Sequence, residues 1–248
     1  MAQTRFIRFL VLAVLIISNS ACTSGIDTPQ TSKAGQCAND LYPVIKGATW
    51  TYISTGNPAG NFTYTDTITE SRPDGFTLTS QFTNLTRTQE WSCKPEGLLA
   101  LQLGSGSVAL STTDLNAHFE TVDASGVTIP ANIQPGSQWQ YSLNLKGSST
   151  TPDGQTSEST NMASMSAQVI GTENVSVPAG NFNALKVQVN STLKVTATVQ
   201  GTSIPFTITS ASTQWFAPGV GWVKMIEQSD FGGAPSTSTI ELQSYKIP

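Results

Sequence analysis

Apolar residues in this chain recur at every second position and almost nowhere at helical spacing. In Leu193–Gln200 (LKVTATVQ), Leu193, Val195, Ala197 and Val199 fall on one side. Leu185, Val187 and Val189 do the same in Ala184–Asn190, as do Ile204, Phe206 and Ile208 in Ile204–Ile208. A period of two places successive side chains on opposite faces of an extended backbone. Each run therefore reads as a half-buried antiparallel strand, and its β-branched residues suit that conformation. Charged residues are only 11 % of the chain, so Ser, Thr, Asn and Gln must supply the wet face. No amphipathic helix of any length accompanies these runs, and the expected class is all-β.

Turn chemistry punctuates the strands. Arg72–Gly75 (RPDG), Lys94–Gly97 (KPEG) and Thr151–Gly154 (TPDG) share one layout. Proline presets φ, an acid follows, and glycine accepts positive φ, which is hairpin chemistry. A calcium loop would need a ladder of alternating aspartates, which is missing here. The stretch PAGNF occurs at Pro58 and again at Pro178, each time leading into a strand.

Larger pieces recur as well. Tyr42–Tyr52 (YPVIKGATWTY) parallels Ile133–Tyr141 (IQPGSQWQY), both reaching Trp-x-Tyr after a proline and a glycine. Gln89–Leu101 (QEWSCKPEGLLAL) parallels Thr213–Met225 (TQWFAPGVGWVKM), each with a tryptophan, a proline, a glycine and a short apolar run. Two related units are expected, 37–125 and 126–248. The second carries extra strands and a polar loop over Gly147–Asn161. A tryptophan at a strand end beside a Pro/Gly turn buries a large area, so these motifs read as structural.

The first residues set the compartment. Arg5 and Arg8 precede an apolar run from Phe9 to Ile17 and small residues at its exit. That is a signal peptide, 1–21, with an apolar core about half the roughly 20 residues of a spanning helix. Ser20-Ala21-Cys22 resembles the lipobox of bacterial lipoproteins, in which the cysteine is lipidated, although Asn19 stands where leucine is usual. The alternative is cleavage without lipidation and a free secreted protein. Residues 22–36 are polar and Pro/Gly-bearing and read as a flexible tether. Once Cys22 carries lipid, Cys37 and Cys93 are left as a pair, and an oxidising compartment makes a disulfide the default. Losing Arg5 and Arg8 leaves 10 basic against 16 acidic residues, a net charge of −6. No basic footprint for nucleic acid exists.

Asn174–Val189 (NVSVPAGNFNALKVQV) followed by Trp215–Lys224 (WFAPGVGWVK) resembles a pattern in uncharacterised bacterial envelope proteins, many of them lipoproteins, of the domain-of-unknown-function and TapB-like families. The resemblance implies long, strongly curved, half-barrel-like antiparallel sheets, with little or no helix beyond the signal peptide. It implies no activity and no functional residue. The curved sheets of LolA/LolB-like carriers are an architectural analogy.

Catalytic signals are sparse. His118 is the only histidine, and no G-x-S-x-G elbow exists to complete a triad with it. Ser191–Lys194 matches S-x-x-K, but at the start of a strand residues three apart face opposite ways. Gly219–Lys224 lacks the strand-to-helix setting of a phosphate loop. Asp66, Glu70, Glu90 and Glu173 are scattered over different strands, and the sequence brings no two together. No metal or cofactor is implied, and the Asn-x-Ser/Thr sequons at Asn61, Asn84, Asn174 and Asn190 read as incidental. The five tryptophans are expected mainly in the core. The chain is expected to be a non-catalytic, extracytoplasmic protein held to a membrane through Cys22 and binding a lipid, another apolar ligand or a protein. A structural or adhesive module without a pocket, or an envelope hydrolase, are the alternatives.

Overall fold

The computed structural model describes residues 37–57, 60–102, 116–150, 154–199, 201–231 and 234–248. The expected signal peptide and tether, and with them Cys22, lie outside these residues. The described residues hold strands and turns: β1 (Thr49–Thr55), β2 (Phe62–Arg72), β3 (Gly75–Gln81), β4 (Thr86–Lys94), β5 (Gly97–Ala100), β6 (Asn116–Gly126) and β7 (Ile129–Pro130). There follow β8 (Gln138–Thr150), β9 (Thr156–Val177), β10 (Gly180–Val199), β11 (Thr202–Ala217), β12 (Gly221–Phe231) and β13 (Ala234–Lys246). Among them is no helix long and apolar enough to cross a membrane.

All thirteen strands form one sheet, in the order β6-β8-β9-β10-β11-β12-β13-β1-β2-β3-β4-β5-β7. Every pairing is antiparallel. β6 and β7 stand at opposite ends of that order, yet only residues 127–128 separate them in sequence. The sheet must therefore curl until its ends meet. Along the seam Val127 N–H donates to the Gln140 carbonyl (3.1 Å) and Thr128 N–H to that of Leu98 (2.8 Å). The Tyr141 hydroxyl donates to the Ala100 carbonyl (2.9 Å) and the Trp139 indole to that of Thr128 (3.2 Å). The result is a curled half-barrel whose edge strands are covered by each other, which removes a template for aggregation.

One end of the half-barrel is plugged. Residues 37–46 cross it, burying Leu41, Tyr42 and Val44. The Tyr42 ring stacks on Trp50 at 5.1 Å and lies parallel to Phe76 and Trp91. Asn39 Oδ1 accepts from the backbone of Leu41 and Tyr42 (3.0 Å each), and its amide donates to the Pro130 carbonyl. A Cys37–Cys93 disulfide ties the plug to the end of β4, the pairing expected from the cysteine count.

The expected turns RPDG and KPEG join β2 to β3 and β4 to β5, and Pro178–Ala179 turns β9 into β10. TPDG and the first PAGNF fall partly outside the described residues. The two Trp-x-Tyr starts are built alike. Gly47 (φ 87°) and Gly136 (φ 89°) donate to Ile68 and Val169, which in turn donate to Ala48 and Ser137. An extra residue follows each, Thr69 in β2 and Ile170 in β9. Both stretches expected as units feed the one sheet, and β13 leaves the second to pair with β1 of the first.

Three expectations need correction. Ala184–Asn190 and Leu193–Val199 are not two strands, because both lie in the single β10, Gln200 being outside the described residues. Ser191 is consequently mid-strand rather than at a strand start. Gly147–Asn161 is not mainly a loop: its first four residues end β8 and its last six begin β9. Ser and Thr there pair across the hairpin, with Ser149 and Ser157 hydroxyls 2.7 Å apart, so polar composition did not mean irregular backbone.

Candidate functional site

The strands differ greatly in length, and that difference makes the candidate site. Thr55, the last residue of β1, is registered through Thr239, Ile226 and Thr213 to Gln188 of β10. β10 then continues to Val199, about 35 Å farther at about 3.3 Å per residue. β11 pairs with β12 only from Ile208 onward, so among the described residues Thr202–Thr207 has no strand paired on that side. The far parts of β8–β11 thus form a tongue beyond the rest of the half-barrel, at the end opposite the plug.

Alternation continues into the tongue. Val187 and Val189 are buried core residues of β10, and Leu193, Val195 and Ala197 share their face. Opposite them in β11 stand Ile208, Phe206 and Ile204. From β8 come Leu143 and Leu145, both buried. Phe119 of β6 lies across from Gly147, whose missing side chain leaves room for its ring, since a Cβ there would sit 2.6 Å from it. The face is apolar on β8, β10 and β11, while β9 between them contributes the buried Asn161, whose amide donates to the Ser159 hydroxyl at 3.0 Å. Its far part is exposed, with Ile204 50 % exposed, Phe119 41 % and Phe206 37 %. It forms a largely apolar trough continuous with the core.

The trough's root carries polar groups that are half-buried or buried. Glu227 of β12 lies across from Ser212, and burial pushes its carboxyl above the usual range while a bond from Ser210 opposes this. Deeper, Asp66 of β2 is buried and accepts from the Ser80 hydroxyl at 2.5 Å. Burial raises its pKa to about 7. The Tyr52 hydroxyl donates to the Trp222 carbonyl at 3.0 Å. The buried Trp222 indole nitrogen has no acceptor among the described residues.

The outer face of the tongue is hydroxyl- and amide-rich. Ser125, Gln140, Ser142, Ser164, Ser166, Asn190 and Thr192 line a shallow cavity of about 480 Å³ there, without a charged side chain.

Of the four carboxylates weighed for catalysis, Glu70 and Glu90 are brought together on one arginine, and Glu173 and Asp66 stand apart from them. Glu70 and Glu90 both meet Arg72, at 3.2 and 2.6 Å. Glu173 accepts from Lys186 at 2.8 Å and from the Trp215 indole at 3.1 Å, and Lys186 followed by Trp215 holds its carboxyl below the usual range. Asp66 is away from them, inside the barrel. His118 lies in β6, its backbone registered against Ser148. Ser191 faces the trough and Lys194 the outside, as strand geometry requires. No group of three or more His, Cys, Asp or Glu that could hold a metal occurs among the described residues. Trp50, Trp91 and Trp215 are buried, while Trp139 and Trp222 pack partly exposed against the core. Sequence reasoning found the apolar runs of the trough but not that they outreach their neighbours, since relative strand reach is a property of register.

The disulfide belongs to an oxidising, extracytoplasmic compartment. No curated protein matches the chain. Among solved structures, a candidate lipoprotein from Parabacteroides distasonis shares the fold, with a TM-score of 0.51 at 18 % identity over 85 % of this chain and 99 % of its own. A candidate exported protein with a YmcC-like fold from Bacteroides fragilis scores 0.48 at 14 % identity, over 85 % and 100 %. The hypothetical lipoprotein YmcC from Escherichia coli scores 0.34 at 11 %, over 81 % and 85 %. At these lower scores the last two add nothing to the fold. The model of one family matches residues 105–240, which include the whole tongue, and the chain belongs to that family, DUF3108-like.

Proposed function

We propose that the protein is a lipid-anchored envelope protein that binds a lipid or other apolar ligand in the trough, without catalysis. The observation that carries this reading is the exposed apolar side chains that β6 and β11 add to a face continuous with the core, Ile204 being 50 % exposed and Phe119 41 %. A soluble domain does not ordinarily leave large apolar side chains together on a face continuous with its core, and a preformed apolar concavity is the usual form of a small-molecule site. The anchor fits the same picture. Cys37 sits at the plugged end, so a tether from Cys22 reaches the half-barrel there and the trough opens on the far side.

Mass spectrometry of the mature protein, purified gently from its own envelope, tests both parts. The denatured mass is expected to carry acyl groups that Cys22→Ser removes. The native mass is expected to exceed the denatured one by a non-covalent, solvent-extractable apolar molecule. Phe206→Asp or Ile204→Asp, each at an exposed position, should lower its occupancy at least tenfold. A bare native mass, with no apolar molecule regained from a lipid extract, overturns the binding reading and leaves the structural module.

A further inference from the structure

Two apolar side chains interrupt the polar outer face of the tongue. Met162 is 39 % exposed and Val122 is 58 % exposed. Val122 reaches this place because the register shift between Thr121 and Asp123 makes it an extra residue in β6. They line a cavity of about 320 Å³ together with Lys146 and Lys194, a volume at the low end of the roughly 300–1,000 Å³ of small-molecule sites. Lys194 stands across from Met162, and Lys146 across from Thr160, one pair of rows away. The remaining lining is neutral, including Asn144, Thr160 and Thr196. By register the nearest acids are Glu120 opposite Lys146, Asp123 opposite Asn144, and Glu158 opposite Ser148. Neither lysine forms an ion pair with any of them, or with any other described residue.

Two ammonium groups that form no ion pair among the described residues, beside an apolar floor, complement one kind of molecule: an anion carrying an alkyl chain. We infer that this cavity binds a medium-chain carboxylate. Its head lies between Lys146 and Lys194, where charge-assisted hydrogen bonds are strongest, and its chain lies on Met162 and Val122. Asn161 and Leu145 also border the cavity, but successive residues of a strand face opposite ways, so the Met162 side chain is on the other side of the sheet from those of Asn161, Ala163 and the trough. The two sites are therefore separable, and this one does not rest on the trough reading.

The methionines report the difference. The chain from Cys22 onward contains three, Met162 on the outer cavity, Met165 on the trough face and Met225 in the core. With Cys22→Ser and [methyl-¹³C]methionine in that chain, dodecanoate is titrated below its micellar concentration, with dodecanol as the neutral control. The Met162 methyl signal, assigned by Met162→Leu, is expected to move saturably with dodecanoate while Met225 stays still. Lys146→Gln with Lys194→Gln should raise the Kd at least tenfold, and Phe206→Asp should leave it within twofold. The inference falls if Met162 does not move, if dodecanol moves it as well as dodecanoate does, or if the lysine variants bind normally. Movement of Met165 alone, abolished by Phe206→Asp, would sink this site and leave the trough standing.

Discussion

Asp66 is the residue whose placement the sequence least anticipates. It stands in an alternating strand where the neighbouring inward positions are Tyr64 and Ile68, and it is buried with them. Burial raises its pKa to about 7, against an ordinary value near 4. The folded state therefore holds this proton more tightly than the unfolded chain does. Its contribution to stability is fully present below about pH 4 and is lost as pH rises to about 7, by at most about 4 kcal/mol. Glu227, also raised by burial, acts in the same direction, while Glu173, held low by Lys186 and Trp215, acts oppositely. Asp66→Asn isolates the first contribution. The gap in denaturation midpoint between this variant and the parent should widen as pH goes from 4 to 7.5, the variant being the more stable at the upper end. A pH-independent gap would show that the buried carboxyl titrates normally. Asp66 was named as a carboxylate from the sequence, but its burial was not legible there, because the partner Ser80 comes from another strand.

At the scale of elements, the hairpins were the most legible part. Proline followed by glycine marks a reversal for local reasons that need no tertiary context, and RPDG and KPEG are hairpins. Strand lengths were not legible, since the polar residues between Val189 and Leu193 resemble a break although cross-strand pairing carries β10 through them. The seam was not legible either. Gly126 ends β6 with φ +77°, and a Cβ there would lie 2.1 Å from the Gln140 carbonyl oxygen. Gly136 has a similar φ, +89°, but open space around it. Gly136→Ala should cost about 1 kcal/mol, for the backbone conformation alone. Gly126→Ala must also displace β8 at the closure, and should cost at least about 2 kcal/mol. Denaturant titrations of the two variants compare the costs directly. Equal losses would mean that the seam contributes nothing beyond ordinary pairing.

For the whole molecule, one sheet and one core predict one unfolding transition. The N-terminal plug, the β5–β7 edge and β13 hold the stretches 37–125 and 126–248 together, since β13 is paired with β1 at the far end of the sequence. Replacing both Cys37 and Cys93 by serine releases the plug's tie across 56 residues. That should cost about 2–4 kcal/mol and lower the melting temperature by roughly 5–15 °C in a chain of this size, in a single calorimetric transition. Two transitions would mean that the stretches 37–125 and 126–248 fold separately. By itself the sequence determined the all-β class, the cysteine pair, the hairpin turns and the apolar face of each strand, because these follow from a period of two and from turn chemistry acting over a few residues. Only the tertiary structure decided that all strands share one curled sheet, that its ends meet, that a plug closes one end, and that β8–β11 overreach the other. Those features depend on register between strands far apart in the chain, and no local pattern encodes which residue of one strand faces which residue of another.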